Sequence, residues 1–91
     1  MATNAPIGPY SPFVRAGDFV ICSGQLGMKD GALVEGGVAA QTTQAMANAA
    51  GLLEQAGCTF ADVAKTLCFL TDMGTFAEFN EAYVAALGDQ I

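Results

Sequence analysis

Few side chains in this 91-residue sequence can move a proton or grip a small anion. Histidine is absent, which removes the commonest general base and any Ser–His or Cys–His nucleophile pair. The three cysteines, Cys22, Cys58 and Cys68, are an odd number without CxxC spacing. They read as packed free thiols of a reducing, cytoplasmic compartment, not as zinc ligands or a disulfide framework. The remaining candidates are neutral: Tyr10 in IGPYSP, Ser23 and Gly24 in VICSGQLGM (20–28), and Asn80 in FAEFNEAY (76–83). A phenol in a Pro-rich loop either packs to cap the loop or donates to a reacting atom. Ser-Gly after an apolar run is a turn or bulge, or a place where main-chain groups approach a small anion or carbonyl closely. Asn80 follows Phe76 by four and precedes Tyr83 by three, which sets it within an apolar helical stripe. There it is a core amide tying a loop to the helix or a ligand contact, since a buried amide needs a partner. Asp72 and Glu81 read as a loop residue and a solvated helix face.

The bulk composition narrows the classes. Hydrophobic residues make up 53% of the chain and charged residues 13%. One small domain cannot bury that much apolar surface, and exposed apolar patches usually mark contact sites. A closed symmetric oligomer is therefore expected. No run of about 18 uninterrupted apolar residues suggests a membrane span, and the N-terminal residues lack the basic start and apolar centre of a secretion signal. The net charge is −6, with Arg15, Lys29 and Lys65 the only cations. That balance opposes nucleic-acid binding, which needs a basic face.

Several elements would position the candidates. Residues 13–22 alternate about Gly17-Asp18 as a β-hairpin, its second strand extending to Gln25 or Leu26. Residues 32–35 form a short further strand beyond a Lys-Asp-Gly turn. From Val38 to Ala56, the stripe Ala45, Met46, Ala49, Leu53 and Ala56 predicts a helix, with Gly57 as its left-handed terminator. Residues 62–71 read as a strand covered on both faces. TFAE (75–78) has the form of a capping box opening a second helix that ends at Gly88. The order is β-β-(β)-α-β-α, an α/β (α+β) class in one domain.

Five strings occur in sequence: IGPYS, VICSGQLG, AAQTTQAMANAAGLLEQAGC, VAKTLCFLTDM and FAEFNEAY. In type, order and spacing they resemble the RidA/YjgF family of reactive enamine/imine deaminases, also known as endoribonuclease L-PSP proteins. The resemblance implies a chorismate-mutase-like mixed sheet packed on two helices, assembled as a homotrimer with ligand sites between subunits. It implies hydrolysis of 2-aminoacrylate and related enamines or imines to 2-keto acids and ammonia, without metal or organic cofactor. Carried over by position, Tyr10 and Asn80 are catalytic and Ser23 and Gly24 bind substrate. The family's carboxylate-binding arginine lies in a Pro-x-Arg segment after the second helix, and a later glutamate is thought to hold the water. Neither falls within residues 1–91, and Arg15 does not match that position. The domain is thus expected to be C-terminally incomplete and poorly active alone. The alternative functions are a non-catalytic module for small carboxylates and an endoribonuclease or translation inhibitor; the missing histidine and the acidic charge oppose the latter.

Overall fold

A computed structural model describes residues 11–90. β1 (Phe13–Ala16) and β2 (Phe19–Cys22) form the expected antiparallel hairpin about Gly17-Asp18. Its register sets Val14 opposite Ile21 and Ala16 opposite Phe19 on one face. β2 stops at Cys22, short of the extension to Gln25 or Leu26 that the apolar run suggested. A second small hairpin pairs β3 (Met28–Lys29) with β4 (Ala32–Leu33) across Asp30-Gly31. Those two turn residues both have positive φ, at 56° and 85°, the combination of a type I′ turn. Two helices follow, α1 (Gly37–Gln55) and α2 (Phe76–Leu87), and they pack on each other. The chain is therefore a mixed α/β fold of two helices and small antiparallel sheets.

The end of α1 follows directly from its sequence. Gly57 takes φ 80°, which lets its N–H reach the Glu54 carbonyl at 3.0 Å while the Cys58 N–H reaches that of Leu53 at 2.7 Å. These two bonds make a Schellman motif and satisfy carbonyls that the helix leaves orphaned. The apolar stripe of α1 is half-buried at Ala45, Met46, Ala49, Leu53 and Ala56. Beside it is Leu52, at 0% exposure the one large side chain fully buried among the described residues. The predicted stripe omitted Leu52, although at about 100° per residue it lies only about 20° from Ala45, at the edge of the stripe.

Two further expectations are corrected. TFAE (75–78) forms no capping box: Thr75 has no capping bond, and its hydroxyl donates to the Asp72 carbonyl at 2.7 Å. Asp72 takes the capping role instead, its Oδ1 accepting the Gly74 N–H at 2.8 Å and starting a short 3-10 turn over Met73–Thr75. Thr75, with φ −95° and ψ 10°, is thereby drawn out of the extended conformation that a capping residue requires. The nearly identical TFAD (59–62) does form a capping box, with Asp62 reaching back to the Thr59 N–H at 2.9 Å. Asp62 consequently closes a turn and does not begin a strand.

Beyond it, the expected strand 62–71 pairs with no other strand among the described residues, and residues 64–71 make no main-chain hydrogen bond there. Its apolar positions are open to solvent instead of covered on both faces, Leu67 being 70% and Phe69 85% exposed. One side-chain bond attaches it to α2, between the Thr66 hydroxyl and the Tyr83 phenol at 2.6 Å.

The segment between the hairpins, Ser23–Gly27, lies against α1. Gly27 is buried, and a Cβ at this position would stand 2.6 Å from the Gln41 Cα and carbonyl oxygen. Main chain meets main chain here, and neither side can yield as a flexible side chain would. The Val34 N–H then donates to the Gly27 carbonyl at 2.9 Å. Gly24, three residues earlier, is exposed, and a Cβ there meets nothing within 4 Å. We expect Gly27→Ala to lower stability by about 2–3 kcal/mol, and Gly24→Ala to change it by no more than about 0.5 kcal/mol. Parallel urea denaturation checks this; equal effects at the two glycines would contradict the close approach.

Candidate active site at the end of β2

The end of β2 is set by a few short-range bonds. The Ser23 N–H donates to the Pro12 carbonyl at 2.9 Å, carrying the hairpin pairing one residue past the strand. Gln25 folds back, its Nε2 donating to the Ser23 hydroxyl at 3.2 Å and approaching the Ser23 carbonyl at 3.4 Å. The N–H groups of Gly24 and Gln25 make no hydrogen bond among the described residues. Ser-Gly-Gln is thus a knuckle: the amide orients the serine hydroxyl, and the glycine leaves the main chain bare.

Ser23 and Gly24 line an open hollow of about 430 Å³ together with Ser11, Val14, Ile21 and Cys22. Its wall is apolar strand surface with polar groups at Ser11, Ser23 and Gly24, and it is shallow and wide open, less enclosed than the usual small-molecule site. None of these lining residues is charged. The means of holding an anion here are hydroxyls and free main-chain N–H groups. Among the described residues no cluster of three or more His, Cys, Asp or Glu side chains converges on a metal position.

The four predicted site residues divide. Ser23 and Gly24 stand together in the hollow. Tyr10 lies outside the described residues. Asn80 is on α2, is exposed, and does not line the hollow. Its expected place within the buried stripe is corrected. The half-buried arc of α2 is Phe79, Ala82, Tyr83, Ala86 and Leu87. At 3.6 residues per turn, Asn80 lies about a quarter turn from its middle, in an exposed row with Phe76 and Val84. The small side chains of Ala82 and Ala86 lie in the packed arc, which turns Phe76 and its neighbour Asn80 outward.

Two residues that the sequence reading did not select matter more to the hollow's end. Asn48 on α1 donates from Nδ2 to the Leu26 carbonyl at 3.1 Å and the Met28 carbonyl at 3.0 Å. Its Oδ1 accepts from Gln44 Nε2 at 2.9 Å. The available signal was an asparagine, a poor helix former, deep inside a 19-residue helix, four residues after a second amide.

Cys22 is half-buried beside the knuckle. Burial, and secondarily the Cys58 thiol, push its pKa above the ordinary value of 9.0. It is therefore a protonated, unreactive thiol at neutral pH. The sign for stability follows: the folded chain retains this proton to higher pH than the unfolded chain, so stability falls as pH rises beyond 9.0. Alkylation followed by peptide mass mapping is expected to label exposed Cys68 before Cys22, with the Cys22 rate still climbing past pH 9.0, where a thiol of ordinary pKa begins to level off. Faster labelling of Cys22 at neutral pH would contradict this assignment.

Known proteins resemble this chain in sequence and fold. The family model Endoribonuclease L-PSP matches residues 2–90. A RutC family protein of Pyrococcus horikoshii is 41% identical over 86 residues, covering 92% of this chain and 68% of that protein. The 2-iminobutanoate/2-iminopropanoate deaminase of Mus musculus is 44% identical over 85 residues, covering 89% of this chain and 63% of that protein. The crystal structure of RidA from an Antarctic Psychrobacter superposes with a TM-score of 0.87 at 38% identity, covering 97% of this chain and 75% of that one. The chain thus spans about two thirds of the length of these curated relatives. With its fold and its sequence matched over nearly its whole length, the chain belongs to the endoribonuclease L-PSP family, which includes the RidA and YjgF proteins.

Proposed function

We propose that this chain carries the binding end of an imine/enamine deaminase site, hydrolysing small 2-imino or 2-enamino acids to 2-keto acids and ammonia. The observation that carries the reading is Gly24. It is exposed, its φ lies outside the left-handed region, and a side chain there meets nothing. Nothing among the described residues requires this glycine, and on this reading it leaves the hollow's polar end open to a ligand. The names of the mammalian relatives supply the substrate class.

The reaction balances without an external oxidant or reductant. A 2-aminoacrylate-type enamine gains a proton at its terminal carbon to give the iminium, the protonated imine. Water adds to the C=N carbon and one of its protons passes to nitrogen; the C–N bond then breaks, ammonia leaves, and the remaining O–H loses its proton as the keto group forms. Free N–H groups at Gly24 and Gln25 and the Ser23 hydroxyl would hold the substrate carboxylate or the polarised C=N group. Tyr10 and Asn80 are the proposed proton-handling partners. With Asn80 outside the hollow, the reading places it at a seam, supplied by a neighbouring copy.

The exposed apolar residues support self-association. One hairpin face presents Val14, Phe19 and Ile21, with Phe19 69% exposed, in addition to Leu67 and Phe69. We propose a homotrimer. The proposed location is cytoplasmic; no helix among the described residues is long and apolar enough to cross a membrane. The family's description as an endoribonuclease suggests RNA as an alternative substrate, but the net charge of −6 and the absence of histidine weigh against it. With no acid–base side chain but the protonated Cys22 thiol among its described lining residues, the hollow also admits a second reading, a small-carboxylate module without turnover.

Two measurements test these readings. 2-Iminopropanoate is generated in situ from D-alanine by a D-amino acid oxidase, and its decay is followed by semicarbazide trapping. The chain is expected to accelerate the decay weakly, and Gly24→Val to abolish the effect while leaving the melting temperature nearly unchanged. Binding of pyruvate without any acceleration would select the non-catalytic module, and RNA cleavage that copurifies with the chain would select the nuclease. Sedimentation is expected to show three copies; a single subunit at high concentration would remove the seam on which the placement of Asn80 depends.

A further inference from the structure

The Ser23–Gly24 end of the hollow has few anchors of its own. The Ser23 N–H bond to the Pro12 carbonyl ends the hairpin pairing, and beyond it no main-chain bond among the described residues holds Gly24 or Gln25. Gln25 bonds only to Ser23, a contact that travels with the segment and does not locate it. At its far end the segment is fixed by the Val34 N–H bond to the Gly27 carbonyl and by α1, where Gly27 meets the Gln41 main chain and Asn48 donates to the carbonyls on both sides of Gly27, those of Leu26 and Met28.

The chemistry of this contact is restrictive. Two carbonyls facing one side chain require two hydrogens diverging from one atom, and a carboxamide nitrogen supplies them. The opposite amide orientation would aim an oxygen at two oxygens. Gln44 removes that ambiguity by donating to Asn48 Oδ1, so every hydrogen-bonding valence of the NH₂ group is used. Aspartate has the same shape and no donor, alanine leaves both carbonyls unpaired, and serine has a single hydrogen. Asn48 does not line the hollow; anything it does for a ligand, it does through the segment it holds.

We propose that Asn48, oriented by Gln44, is the positioning residue of the site, holding Leu26 and Met28 so that Ser23 and Gly24 present their hydroxyl and free N–H groups at a fixed place on the hollow. The kinetic part of this inference rests on the reading of the hollow as the imine-binding site; the structural part does not. It assigns a ligand-related role to a residue inside a helix, two elements away in sequence from the groups it serves.

Hydrogen exchange read by mass spectrometry, combined with kinetics on in-situ 2-iminopropanoate, tests it. Asn48→Asp and Asn48→Ala are each expected to speed exchange in residues 23–29 about tenfold or more, with exchange in α2 unchanged. Gln44→Met, which leaves Asn48 in place but frees its amide to rotate, moves the same peptide in the same direction by less. In the kinetics, Asn48→Asp raises KM about tenfold with a smaller change in kcat, as expected when a binding group is misplaced and the chemistry is left intact. Unchanged exchange in 23–29, or equal acceleration in α2, overturns the clamp. A loosened segment with unchanged KM overturns its role in positioning. A wild-type chain that leaves imine decay unchanged removes the deaminase reading, and the exchange data then decide the clamp independently.

Discussion

The structure depends on one contact, the seating of the Ser23–Gly27 segment on α1. A strand, a knuckle and a second hairpin all pass through it. On the helix side are Gln41, Gln44 and Asn48, a polar row at the flank of the buried stripe. On the segment side is a glycine whose missing side chain admits the approach, flanked by carbonyls that need donors. Hydrogen bonds in a partly buried contact are modest in net worth but costly to leave unmade. Such a contact therefore defines geometry more than it adds stability, as the proposed site on this short irregular segment would require.

Little else in the chain has that rigidity by itself. Leu52 is the only large side chain fully buried among the described residues, although more than half the sequence is hydrophobic. Apolar side chains on the first hairpin, on 63–70 and on one edge of α2 face outward. A surface of this kind is the physical signature of a unit that buries area against partners, and the site reading has the same consequence. The described residues lining the hollow include no cation, and Asn80 stands away from it on α2. Each half of the proposed chemistry would be completed across a boundary between copies.

Much of the local structure was legible. Gly17-Asp18 between alternating runs identified the first hairpin, and Gly57 after an apolar-periodic stretch identified the Schellman end of α1, because both depend on a few adjacent residues. The two Thr-Phe-Ala-acid strings show where local reading stops. Both match the capping-box pattern, yet only Thr59–Asp62 forms the box. Asp72 lies three residues before Thr75 and takes the capping role first. At the end of β2, the placing of Ser23 and Gly24 just past the strand followed from their position after an apolar run. Asn48 was not, because its partners are 20 and 22 residues away in sequence and no periodicity encodes that meeting.

Sequence by itself determined the family, the two helices, the first hairpin and the chemical poverty of the site, because these follow from residue type, short spacing and order along the chain. Tertiary structure alone decided which face of α2 is packed, that 63–70 has no strand partner among the described residues, and that an amide in α1 holds the loop at the end of β2. Those outcomes depend on where separate segments meet, and on the volume of alanines and the absence of a glycine side chain at the meeting points. A pattern of polar and apolar residues marks a helix as two-faced, but the angle at which it settles is set by what it packs against.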